Sequence, residues 1–101
     1  MSPEAKVRVD LNNSVFQQEL FGLTKKDQTA VLKSLKKISK MTWGQVYQDS
    51  GLNWEKIISK TGPHGGTIYS IRLSRGFRAV VFREETWMRF LTLHPDHDSA
   101  Y

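Results

Sequence analysis

The chain has 101 residues, enough for one modest core and therefore one domain spanning 1–101. Fifteen Lys and Arg against ten Asp and Glu give a formal net charge of +5, which favours a polyanionic partner, either nucleic acid or an acidic protein. With no cysteine, disulfides, thiolate metal sites and cysteine nucleophiles are excluded, and a reducing compartment is compatible. No apolar run is long enough to cross a bilayer and the opening MSPEAKVRVD lacks the apolar stretch of a signal peptide, so a cytoplasmic protein without membrane contact is expected.

Residues 5–11, AKVRVDL, alternate apolar and polar positions with the period of a half-buried strand. Asn12-Asn13-Ser14 reads as a turn and cap ahead of a first helix, VFQQELFG, closed by Gly22. Thr24-Lys25-Lys26-Asp27 has the form of a capping box and opens a second helix running to about Lys40, with Val31, Leu35 and Ile38 on its apolar stripe. Lys33, Lys36, Lys37 and Lys40 recur at the same helical spacing on the opposite side. They form either a plain solvated face or one that tracks phosphates, while Ser34 on the flank adds nothing to either reading. Residues 42–47 suggest a short helix ended by Asp49-Ser50-Gly51. Strands are then expected over 54–59, 67–73, 77–83 and 86–93, with a loop at Gly62-Pro63-His64-Gly65-Gly66. This order predicts an α+β fold: an N-terminal strand and two helices packed on one face of an antiparallel sheet of four to five strands.

The stretch YSIRLSRGFRAVVF, 69–82, carries the most specific pattern. A three-residue turn Ser74-Arg75-Gly76 pairs Leu73 with Phe77, sets Arg72 opposite Arg78, and sends Tyr69, Ile71, Leu73, Phe77, Ala79 and Val81 to the core face. Two guanidinium groups facing each other across a hairpin repel unless an anion lies between them. A phosphate or a carboxylate is the expected occupant, and pairing with Glu55, Glu84 or Glu85 on a wet surface is the plainer account.

The tail, His94-Pro95-Asp96-His97-Asp98-Ser99-Ala100-Tyr101, crowds groups able to move protons near neutral pH. Beside two arginines, such a cluster fits cleavage of an RNA phosphodiester, with no metal or cofactor required. A frayed polar end without a role is the ordinary alternative. His-x-x-His-Asp could also hold a divalent metal, although Pro95 argues against a regular helix there and no further ligand cluster is evident. His64, between proline and glycines, reads as a loop residue.

The element order, together with GLNWEKI at 51–57, IYSIRLSRGFRAVVF at 68–82 and LTLHPDHDSAY at 91–101, resembles the RelE/ParE toxin superfamily of type II toxin-antitoxin modules. The Gly-Leu-x-x-Glu-Lys, Tyr-Ser-Ile-Arg and His-Asp-x-Ala-Tyr elements resemble more narrowly its RelE-like cytotoxic translational repressors. The resemblance implies an endoribonuclease that cuts mRNA on the ribosome and is neutralised by a cognate antitoxin in a hetero-oligomer. It implies that Arg72 and Arg78 hold the scissile phosphate and that His94, His97, Asp98 and Tyr101 serve proton transfer or stacking. On the nuclease reading, the basic surfaces of the second helix and sheet, with Lys33, Lys36, Lys37, Lys40, Arg75 and Arg89, are expected to contact RNA. Two departures stand out. Ser70 occupies a strand position that is lysine in some RelE-like enzymes, which shifts proton chemistry to the histidines, and the chain stops at Tyr101 where relatives of this branch often continue with an aromatic residue, which would weaken activity. The ParE branch shares the fold but binds and inhibits DNA gyrase without cutting RNA, and is the alternative function.

Overall fold

A computed structural model describes residues 5–95 of the chain. The elements in order are β1 (Arg8–Asp10), α1 (Ser14–Phe21), α2 (Lys25–Ile38), α3 (Trp43–Gln48), β2 (Glu55–Thr61), a single 3-10 turn (Pro63–Gly65), β3 (Thr67–Ser74), β4 (Phe77–Glu84) and β5 (Trp87–Pro95). Each helix starts where a side chain can take up its orphan amides. Asn13 accepts from Val15 and Phe16, Thr24 from Asp27, and Thr42 from Gln45, whose own side chain returns the bond to the Thr42 amide. The second helix ends at Ile38 rather than Lys40 because its exit tightens: the Lys40 amide bonds Lys37 O at 3.1 Å and the Met41 amide bonds Ile38 O at 2.9 Å, both three residues back.

The sheet order is β1-β5-β4-β3-β2. The four C-terminal strands form the expected antiparallel meander, and the fold is α+β as expected. The sheet as a whole is mixed, not antiparallel throughout: β1 lies parallel to β5, with Arg8 beside Trp87 and Asp10 beside Arg89. A parallel neighbour needs a long crossover, and the helical layer supplies it. The core fills the space between helices and sheet with Phe16, Val31, Leu35, Ile38, Trp43 and Val46 from one side and Ile71, Ala79, Val81, Met88 and Phe90 from the other. The Phe16 and Phe90 rings meet at a centroid distance of 5.5 Å, tilted by 56°.

Register shifts interrupt three ladders; besides the one on β2 between Ile57 and Thr61, two bulges bear on the site. At the hairpin, Ser74 rather than Leu73 faces Phe77, which leaves Leu73 as the extra residue on β3 beside a turn where Gly76 takes a left-handed conformation (φ 73°). Beyond the turn the expected register holds, with Arg72 opposite Arg78, Ile71 opposite Ala79 and Ser70 opposite Val80. The second bulge is on β5: Val80 faces Thr92 but Val81 faces Phe90, leaving Leu91 as the extra residue. Phe90 and Leu93 are consequently both in the core. β1 ends opposite Arg89, so the outer edge of β5 is uncovered further on, and Glu19 of α1 accepts the Leu93 amide there at 2.7 Å.

Candidate functional site

The helices cover one face of the sheet; the other face carries the polar row picked out by the hairpin. Register alone builds it. Directly opposed residues of antiparallel strands project to the same side, so Arg72 on β3, Arg78 on β4 and His94 on β5 stand side by side across three strands. All three are exposed. The next row inward is Glu55, Ser70, Val80 and Thr92.

These two rows edge an open depression of about 480 Å³ whose floor is apolar, from Ile57, Ile68, Val80 and Leu91, and whose rim carries Ser70, Arg78, Thr92 and His94. The loop after β2 closes one end. A Cβ on Gly62 would collide with Ile68, and one on Gly66 with Phe82, so both glycines let the backbone lie directly on the sheet.

Within the rim, Arg78 leans across β3, with Nη1 3.5 Å from Ser70 Oγ and 3.7 Å from Glu55 Oε1. Both side chains of that ion pair are largely exposed, 44% and 62%, so it is a loose tether that solvent screens. The guanidinium of Arg72 makes no hydrogen bond or ion pair among the described residues. His94 is oriented by its own strand: Nε2 lies 2.8 Å from Thr92 Oγ1, leaving Nδ1 as the other ring position. Thr92 is the member that sequence reading missed, whereas Glu55 was expected as a carboxylate partner and Arg78 does pair with it. The signal for Thr92 was its i, i+2 spacing to His94 on a strand, which puts both on one face.

The basic residues divide. Lys33 and Lys37 line a depression that also includes Arg72, whereas exposed Lys36 and Lys40 do not line it. Arg75 sits in the turn, in a shallow groove with Arg72 and Arg78. Arg89 is not brought to this row: it stands opposite Phe82, four residues from Arg78 along β4, or about 13 Å at a strand's rise per residue. There it is taken up by two carboxylates, Glu84 Oε1 at 2.7 Å and Asp10, which hold its pKa above the ordinary arginine value, the Glu84 hydrogen bond contributing most. Ser34, which the sequence left without a role, is buried and donates to Leu73 O at 3.1 Å, tying α2 to the hairpin. His97, Asp98 and Tyr101 lie outside the described residues, and with them most of the His-x-x-His-Asp tract. Among the described residues no group of three His, Asp or Glu is close enough to hold a metal ion, and no helix is long and apolar enough to cross a membrane.

The architecture has a solved counterpart. Over 92% of its length the chain is similar, with a TM-score of 0.63 and 17% identity, to 98% of a chain in the crystal structure of the archaeal RelE-RelB complex from Pyrococcus horikoshii OT3. The chain thus has a RelE-like fold. No family model matches it, and no curated protein does.

Proposed function

We propose that this chain is the toxin of a type II toxin-antitoxin pair, a metal-independent endoribonuclease that cuts messenger RNA, on the ribosome, in the cytoplasm. One observation carries the reading: Arg78 lies directly between Arg72 and His94 on an exposed sheet face. That places a charge able to stabilise a phosphorane oxygen next to a group able to move protons at neutral pH. Cleavage follows from the parts. The 2′-oxygen attacks the adjacent phosphorus, the bond to the 5′-oxygen breaks, and the departing oxygen takes up a proton. Arg78, with Arg72 beside it, stabilises the charge that builds on the non-bridging oxygens. His94 takes one of the two proton transfers, and His97, Asp98 or Tyr101 takes the other. A shared fold with a chain of a RelE-RelB complex supports a cognate antitoxin as the partner.

The test is to add the purified chain to a translating extract and map RNA ends. New ends within ribosome-bound message are expected. Intact message in the extract, with growth still arrested when the chain is induced in cells, would instead favour a stoichiometric inhibitor of gyrase or another target.

A further inference from the structure

Behind the hairpin, between α2 and β3, lies a second depression of about 440 Å³ that shares only Arg72 with the proposed chemistry. It is held on three sides. Ser34 Oγ ties α2 to β3 through Leu73 O at 3.1 Å, and the Arg72 amide ties β3 to the turn before β2 through Leu52 O at 2.7 Å. Asp49 ties that turn back to α2, accepting the Leu52 amide at 2.9 Å and pairing with Lys37 Nζ at 3.2 Å. Gly51 lets the turn come this close, since a Cβ there would stand 3.1 Å from Asp49 Oδ1 and 3.6 Å from Lys37 Nζ.

Three cationic residues, Lys33, Lys37 and Arg72, line this cleft. The carboxylate that pairs with Lys37, Asp49, also accepts the Leu52 amide. Lys33 and the guanidinium of Arg72 have no partner among the described residues. A rigid cleft with uncompensated positive charge at its mouth is suited to a compact anion with several acceptor oxygens. A groove containing Arg72, Arg75 and Arg78 links the two depressions, sharing Arg72 with this cleft and Arg78 with the one on the open sheet face.

We propose that this cleft is a second phosphodiester site, holding the backbone phosphate that flanks the one at Arg78 and His94, with Arg72 between the two. The inference rests on the RNA reading for the polymer's identity. It adds that the strand passes over the hairpin edge toward α2, and that binding needs two consecutive phosphodiesters to reach full strength.

The test uses all-2′-deoxy oligonucleotides of two and three nucleotides, which lack the attacking hydroxyl, titrated against the full chain by calorimetry. One further charge-assisted contact corresponds to about a tenfold gain in affinity from the dinucleotide to the trinucleotide. In Lys33→Ala that gain is expected to vanish while dinucleotide affinity holds, and the salt slope for the trinucleotide to fall by about 0.7. An undiminished gain in Lys33→Ala, an equal loss for both oligonucleotides, or tight binding of poly-glutamate with no binding of either would overturn the proposal. Because no strand is cut, the outcome separates from the nuclease reading: two-step binding without message cleavage sinks only the latter, and cleavage without the step sinks only the former.

Discussion

The two ends of this sheet treat arginine in opposite ways. Far from the hairpin every arginine is used up. Arg89 is gripped by Asp10 and Glu84, and Arg8 lies 4.5 Å above the Trp87 ring while hydrogen-bonding Thr86. Arg83 stacks 4.1 Å from the centroid of Trp43 and donates to the Tyr47 hydroxyl. At the hairpin end, among the described residues, Arg72 has no side-chain partner and Arg78 has only a long contact to Ser70 Oγ and a distant carboxylate. Folding alone explains the first group, because each guanidinium there completes a local contact. It does not explain the second, where like charges oppose each other across a ladder at some cost. Charge left unsatisfied by the fold is the charge available to a ligand.

That contrast can be broken experimentally. The largest effect is expected from His94→Gln, which removes proton transfer and on the proposed function slows cleavage about 10²–10⁴-fold. Its pH-rate profile, measured together with His97→Ala, should flatten near neutrality, and an unchanged profile removes the histidines from the mechanism. Next comes Arg78→Ala. Loss of a positioned charge should cost about 10²–10³ in rate while thermal melting stays close to that of the parent, since its ion pair is loose. Arg83→Ala reverses the pattern, lowering stability by about 1–2 kcal/mol in denaturant titration and leaving cleavage intact. A variant at Arg83 that cuts poorly, or one at Arg78 that unfolds, would erase the distinction between the two ends. The smallest effect concerns Asp49, whose carboxyl is held below 3.8 by the Leu52 amide first, with Lys37 adding to it against partial burial. In the unfolded chain this group binds its proton at a higher pH. Its stabilisation is therefore complete above the ordinary carboxylate value and fades as pH falls through the lowered one. Asp49→Asn should flatten part of the loss of stability below pH 4, read from acid titration of the fold.

How much of this the sequence disclosed depended on whether the determining forces were local. The hairpin register follows from a glycine-containing turn and alternating apolar residues, both within fourteen positions, so the opposition of Arg72 and Arg78 was legible. Helix starts were legible for the same reason, through Asn13, Thr24 and Thr42. The parallel placement of β1 was not, because it links residues nearly eighty apart and leaves no mark on either segment's periodicity. Nor was the fate of Arg89, whose partner Asp10 is equally remote, or the tie from Ser34, which looks like a surface hydroxyl until α2 is laid on β3. The division of the lysine face has the same origin: helical spacing groups Lys33, Lys36, Lys37 and Lys40 together, and only the packed turn at Gly51 and Leu52 separates those beside Arg72 from the rest.

The extra residue at Leu91 reaches further than its local kink. Side chains along a strand alternate, so positions 88, 90, 92 and 94 would all belong to the same side of an unbroken β5. Met88 and Phe90 point inward, and by that count His94 would be interred and Leu93 left in water. One added residue inverts the parity, and the Glu19 carboxylate clasps the strand just past the inversion. Flattening the bulge with Leu91 kept in the ladder would thus exchange inside for outside over the end of β5 and bury the imidazole, whereas deleting residue 91 would leave a regular strand with Leu93 still inward and His94 still outward.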